Sequence, residues 1–220
     1  FMKKIVILYE DKDLIAVSKP AKLLTISTDK EKTHTLYQEV SAYVKKQHPK
    51  NKVFIVHRLD RDTSGIVVFA KNEKMKQILQ AEWQERALVR EYIAIVTGAM
   101  PMKKGIIKNY LYEDKTLYVR ATSDPSRGKL AITEYEVLAK NKKYSLVKIH
   151  IKTGRKNQIR VHLKDLGYPI VGDKKYGDKK TSVGRLLLHA SYLKLLLPNG
   201  KVLEITAKLP KEMQMFEEKS

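Results

Sequence analysis

Two short runs rich in β-branched residues, Ile5-Val6-Ile7-Leu8-Tyr9 and Leu14-Ile15-Ala16-Val17, flank the turn-prone Glu10-Asp11-Lys12-Asp13. That pattern predicts a hairpin. Leu36, Val40, Tyr43 and Val44 then recur at helical spacing behind Thr35, predicting an amphipathic helix over 35–48 that Pro49 ends. The unbroken apolar run Ile66-Val67-Val68-Phe69-Ala70 suits a buried strand, and Met75, Ile78 and Leu79 share one face of a helix over about 73–87. Tyr92-Ile93-Ala94-Ile95-Val96 predicts another strand. Thr133, Tyr135 and Val137 alternate with Glu134 and Glu136, and Val147, Ile149 and Ile151 alternate with Lys148 and His150, as half-buried antiparallel strands do. Residues 156–166 read as helical, and Leu186–Leu197 and Val202–Ile205 as a strand pair around the turn Pro198-Asn199-Gly200. No repeat, linker or composition shift marks a boundary. The expectation is one α+β domain over 2–220, its helices mixed into a mainly antiparallel sheet; Phe1, ahead of Met2, reads as an expression remnant.

Composition narrows the function. Hydrophobic residues make up 43% of 220 positions, enough for a substantial core. No apolar stretch approaches the length of a bilayer crossing and the N-terminus lacks the order of a signal peptide, so a cytoplasmic location without membrane association is expected. Cysteine is absent, which excludes disulfides, thiolate nucleophiles and Cys-based zinc sites. The 44 Lys and Arg against 24 Asp and Glu give a formal charge of +20, which points to a polyanionic partner, with a lysine-rich proteome or a membrane surface as the alternatives. Ten of the basic residues (152, 155, 156, 160, 164, 174, 175, 179, 180 and 185) fall between Lys152 and Arg185, against Asp165, Asp173 and Asp178. That segment is the candidate nucleic-acid face.

The densest polar cluster, His57-Arg58-Leu59-Asp60-Arg61-Asp62-Thr63-Ser64-Gly65, lies directly before the apolar run at 66–70. A charged loop anchored to a core strand is where a scaffold presents reactive groups. On the residues alone three readings stay open: a solvated turn with Asp60 and Asp62 paired to Arg58 and Arg61, a metal site using His57, Asp60 and Asp62, or a catalytic carboxylate.

Taken whole, the segment resembles the HRLD-x-x-TSG signature of the RluA-like RNA pseudouridine synthases. Arg90-Glu91-Tyr92-Ile93-Ala94-Ile95-Val96-Thr97-Gly98 resembles the tyrosine-bearing strand of that family, and Thr153-Gly154-Arg155-Lys156-Asn157-Gln158-Ile159-Arg160-Val161-His162 its third motif. Gly167-Tyr168-Pro169-Ile170-Val171-Gly172-Asp173 matches the segment that follows; Lys19-Pro20 and Leu188-His189-Ala190 agree more weakly, in family order. Two positions depart from the pattern. Lys156-Asn157 stands where a small hydroxyl residue and histidine are common, and Lys22 where glycine is usual.

The resemblance implies a mixed, mainly antiparallel sheet with flanking helices, no S4-type domain ahead of it, no cofactor and no metal. It implies isomerisation of specific uridines in ribosomal or transfer RNA, with Asp60 as nucleophile, Arg160 as the guanidinium keeping that carboxylate ionised, and Tyr92 packed against the base and assisting proton removal. Arg58 is implied to help extrude the base. His57, Thr63, Arg155, Lys156, His162 and Lys19 complete the expected RNA-binding set, with a structural role as the alternative for His57, Thr63, Arg155 and His162. RNA is the expected partner, with no obligate protein partner evident. The competing functions are a non-catalytic RNA-binding or assembly protein of the same fold and a metal-dependent phosphodiesterase built on His57, Asp60 and Asp62.

Overall fold

The computed structural model describes residues 5–28, 34–177 and 183–214. Lys179, Lys180 and Asp178 of the basic segment therefore lie outside the described residues. The described chain divides into two compact units. One comprises Phe1–Val89 and Ala190–Lys208, the other Arg90–His189 and Leu209–Ser220.

In the first unit, β1 (Val6–Glu10) and β2 (Leu14–Lys19) form the expected antiparallel hairpin. Asp11 makes the turn, its Oδ1 accepting the N–H groups of Asp13 at 2.8 Å and Leu14 at 2.7 Å. The helix α1 (Leu36–Gln47) is capped by Thr35, whose hydroxyl accepts from the Gln38 N–H while the Gln38 side chain accepts from the Thr35 N–H. It stops at His48, which turns to extended backbone ahead of Pro49. After the two-residue β3 (Phe54–Ile55) comes β4 (Ser64–Ala70), buried at every position and paired with β2 from Leu14↔Ala70 to Lys19↔Gly65.

The single helix expected over 73–87 is two: α2 (Glu73–Ala81), capped by Asn72, and α3 (Trp83–Arg86). The helical stretch breaks at Glu82, and Ala87, buried, already belongs to the next strand, β5 (Ala87–Thr97).

The second unit is a sheet in the order β5-β9-β8-β6-β7, with β6 (Lys104–Glu113), β7 (Val119–Thr122), β8 (Lys129–Lys140) and β9 (Tyr144–Ile151), all antiparallel. Among the described residues, the α-helix α4 (Gln158–Asp165) and a 3₁₀ turn at Lys211–Met213 belong to this unit. Its core gathers Ile95, Val147, Ile149, Leu163 and Leu187. Neither β6 nor β7 is legible in the hydrophobic pattern, since Leu111 is the one buried position of β6. The chain closes with β10 (Leu188–Leu196) and β11 (Val202–Thr206), paired antiparallel about the expected turn at Gly200, whose φ is +82°. Few helices and a mainly antiparallel sheet make this the α+β architecture expected, and among the described residues no helix is long and apolar enough to cross a membrane.

One glycine locks this arrangement behind the charged loop. At Gly65 φ is +117°, and a Cβ there would sit 2.2 Å from the Ala190 carbonyl oxygen and 2.5 Å from its nitrogen. Only a residue without a side chain lets β4 come that close to β10. Gly65→Ala is therefore expected to lower the thermal midpoint by roughly 6–12 °C, corresponding to a loss of about 3 kcal/mol. A midpoint unchanged within about 2 °C, measured by circular dichroism, would show that the strands can part without cost.

Candidate active site

The loop between β3 and β4 alternates in exposure: Arg58 and Arg61 are exposed, Asp60 and Asp62 half-buried, Leu59 and Thr63 buried. Its backbone is fastened from several directions. The Leu59 N–H donates to Thr25 Oγ1 at 3.3 Å, and that hydroxyl donates back to the Leu59 carbonyl at 2.9 Å. Thr63 N–H donates to the Asp60 carbonyl at 3.2 Å, closing a tight turn around the aspartate. The ring of His57 stacks on Trp83 with centroids 4.4 Å apart, and its Nε2 accepts the Val68 N–H at 3.0 Å. That bond places the neutral ring's proton on Nδ1.

The strongest fastening is a lysine. Lys19 is 0% exposed, and its Nζ donates to the carbonyls of Leu23 at 2.7 Å, Arg61 at 3.0 Å and Pro20 at 3.1 Å. An ammonium with three donors on three carbonyls ties the segment after β2 to the residue that follows Asp60. Lys22, in that same segment, has a φ of 67°, a left-handed conformation that accounts for the usual glycine there.

Within the second unit, Tyr92 lies on β5 opposite Ile149 and packs against the core half-buried. Arg160, on α4, is 6% exposed and grips Asp173 side-on, Nε to Oδ2 and Nη2 to Oδ1, both at 2.8 Å. Asp173 is 1% exposed and its Oδ1 also accepts the N–H groups of Lys175 at 2.9 Å and Tyr176 at 3.0 Å. Burial alone would raise this carboxyl; the hydrogen bonds and charge of Arg160 with the two backbone N–H groups outweigh it and hold it below its ordinary value. Tyr176 supplies a floor, its ring 5.2 Å from the guanidinium carbon. The tyrosine is fixed in turn, its hydroxyl donating to Asn157 Oδ1 and accepting the Val119 N–H, each at 3.1 Å, and burial pushes its pKa up to about 12. Asn157 enters α4 with a φ of 53°, so both departures from the family pattern include a left-handed residue.

The loop leading to α4 is equally determined. Gln158 accepts from Thr153 Oγ1 at 2.7 Å and from the Arg155 N–H at 3.0 Å, and donates to the Ile132 carbonyl and Thr133 Oγ1. Arg90 Nη2 donates to the Lys152 carbonyl at 2.7 Å, and a Cβ on Gly154 would come within 3.2 Å of that guanidinium. Arg155 and Lys156 are exposed, Arg155 Nε donating to the Leu130 carbonyl and Lys156 paired with Glu113. His162 is 0% exposed; Nε2–H donates to Asn109 Oδ1 at 2.8 Å and Nδ1 accepts from Thr133 Oγ1 at 2.9 Å. Burial pulls its pKa down to about 4.

The expectation that Lys19, Thr63 and His162 touch RNA does not fit this placement: each is buried. The polar atoms of Lys19 and His162 are hydrogen-bonded within the protein. Asp173, Tyr176 and Thr25 were not singled out as site residues; the motif segment ending at Asp173 was the one signal pointing to any of them. Among the described residues no ion pair joins Arg58 to Asp62, and no group of three His, Asp or Glu has metal-ligating geometry.

A sheet-dominated α+β chain of this shape belongs to the class of pseudouridylate synthase folds: the solved human RNA Pseudouridylate Synthase Domain Containing 4 superposes with a TM-score of 0.79 at 26% identity, over 94% of this chain and 90% of that one. The RNA pseudouridylate synthase family model matches residues 13–165. This chain is 36% identical to tRNA pseudouridine synthase C of Haemophilus ducreyi over 230 residues, covering 96% of this chain and 93% of that protein. It is 34% identical to ribosomal large subunit pseudouridine synthase D of Borreliella burgdorferi over 219 residues, covering 96% and 67%. The chain belongs to the RluA-like RNA pseudouridylate synthase family, an isomerase class that acts on RNA, as its motifs implied.

Two outcomes follow from the buried charges. Asp173→Asn leaves Arg160 desolvated without its carboxylate and is expected to cost about 3 kcal/mol in denaturant unfolding; a loss below about 1 kcal/mol would mean the pair behaves as a surface ion pair. The depressed pKa of His162 makes the unfolded chain the better proton binder between pH 6.5 and about 4. Its contribution is fully present above that window and lost as pH falls through it, by about 3 kcal/mol. His162→Gln should flatten the pH dependence of unfolding in that interval, and an unaltered slope would assign the acid sensitivity elsewhere.

Proposed function

We propose that this protein converts one or a few uridines of ribosomal or transfer RNA to pseudouridine with Asp60 as nucleophile. The observation that carries the reading is the aspartate's setting: a half-buried carboxylate inside the family signature, on a loop whose backbone is held on both sides by Thr25 and Lys19. A nucleophile gains from that stiffness because its attack geometry is set before substrate arrives. In the reaction the bond between uracil N1 and C1′ breaks, the base turns, and carbon 5 bonds to C1′. The carbon 5 proton leaves to solvent and N1 ends protonated, so atoms and charge balance without an outside reductant.

Asp60 holds the sugar or base while the other part rotates. Tyr92 stacks against the base and assists loss of the carbon 5 proton, its half-buried ring offering both a face and a hydroxyl. Arg160 favours the ionised carboxylate of Asp60, and the grip of Asp173 and Tyr176 supports this by fixing its guanidinium plane. Arg58, exposed on the loop, enters the gap left by the extruded base. Arg155 and Lys156 meet phosphates. The family match runs through both units, which supports reading them as one catalytic domain. Relatives of similar identity, one named for transfer RNA and one for the ribosomal large subunit, support both RNAs as substrates.

The deciding experiment is tritium release from RNA containing 5-tritiated uridine, using folded ribosomal and transfer RNA with wild type and Asp60→Ala side by side. Wild type should release tritium, and Asp60→Ala should lose at least about a thousandfold in rate while RNA affinity changes by less than about threefold. Release at a comparable rate by the variant would remove Asp60 from the chemistry.

A further inference from the structure

We propose that the second unit carries an additional RNA subsite: an open cleft of about 490 Å³ at the end of β6, the β7–β8 turn and the Gly154–Lys156 loop, which holds an unpaired nucleotide of the substrate RNA. The choice of RNA as occupant rests on the family reading above. Its volume lies within the range of about 300–1,000 Å³ that accommodates small ligands, and it is open at the surface. Four cations line it, Arg127, Lys129, Arg155 and Lys156, against the single carboxylate of Glu113, which Lys156 partly neutralises. Like charges gathered at an exposed cleft repel one another, and phosphates bring them into balance.

The cleft also has a face for a base. The guanidinium carbon of Arg127 stands 5.1 Å from the centre of the half-buried Tyr112 ring, a flat cation over an aromatic plane. Bases stack on both kinds of surface, and an unpaired nucleotide exposes the face that a duplex conceals. The geometry is set by the backbone. A Cβ on Gly128 would lie 3.0 Å from the Leu111 carbonyl carbon and oxygen, so the turn bearing Arg127 rests directly on β6. Arg155 is held at the opposite wall by its 2.9 Å bond to the Leu130 carbonyl. The same loop continues through Asn157 into α4 and Arg160, so a strand whose phosphates occupy the cleft is positioned by the segment that also presents the buried arginine.

The test is fluorescence anisotropy of the full chain with a labelled single-stranded RNA of about twelve nucleotides and with an RNA duplex of equal length. Arg127→Gln with Lys129→Gln should weaken single-strand binding about tenfold or more and reduce the slope of log affinity against log salt by roughly 0.7 per lost phosphate contact. Tyr112→Leu, which keeps an apolar strand residue, should weaken the single strand by about tenfold with the salt slope unchanged and the duplex little affected. Lys201→Gln, an exposed charge in the first unit, is the control for general attraction. Equal losses with that control, or equal losses of Tyr112→Leu on single strand and duplex, would overturn the proposal. Because binding is read without turnover, a wild type that releases no tritium would sink the catalytic reading and leave this result standing.

Discussion

Removing a guanidinium from water costs several kcal/mol unless a charge and a full set of hydrogen bonds go with it. Asp173 contributes to meeting that condition for Arg160. Asp173 takes two of its N–H groups, anchors its own remaining lone pairs on two backbone amides, and delivers Tyr176 beneath the guanidinium plane. The consequences spread along the chain in both directions. Tyr176 bonds to Asn157 and so determines how α4 begins, while its other bond, to Val119, ties the segment to β7. One desolvated ion pair thus connects the helix, its entry loop and the outer strand of the second unit.

The first unit solves a related problem with the opposite partner. A lysine taken fully out of water needs acceptors, and the acceptors are backbone carbonyls, among them that of Arg61. The charge and the loop hold each other: removal of either leaves buried polar groups unmet. Polar residues in both units serve as fasteners, and the exposed cations around them remain for the polyanion. His162 belongs to the fasteners, since a ring that is neutral at physiological pH and bonded at both nitrogens has no charge to offer a phosphate.

Sequence pattern revealed those elements whose burial follows a simple period. The capped α1, the wholly buried β4 and the alternating cores of β8 and β9 are of this kind. It ran the helix from 73 straight through Glu82, where the backbone breaks it in two, and one residue too far, since Ala87 already belongs to β5. It passed over β6, a strand with a single buried residue, and it placed Lys19 among the RNA contacts, not in the interior, because lysine is so seldom buried that no local pattern announces it. The motif resemblance supplied Asp60, Tyr92 and Arg160 as candidates; it did not supply Asp173 as the arginine's clamp, since that partnership spans thirteen residues and depends on how α4 packs.

The close approach at Gly65 has a bearing on how induced fit is divided between protein and RNA. With β4 seated against β10 and the adjoining loop bonded at Leu59 and Arg61, little conformational entropy remains for the loop to lose when a ligand arrives. On the proposed reading, the rearrangement then falls to the nucleic acid, which unstacks and presents a base to a surface already shaped. Uridines in loops, bulges or weak pairs spend least in doing so, and a rigid protein surface thereby selects substrates by how readily the RNA itself deforms.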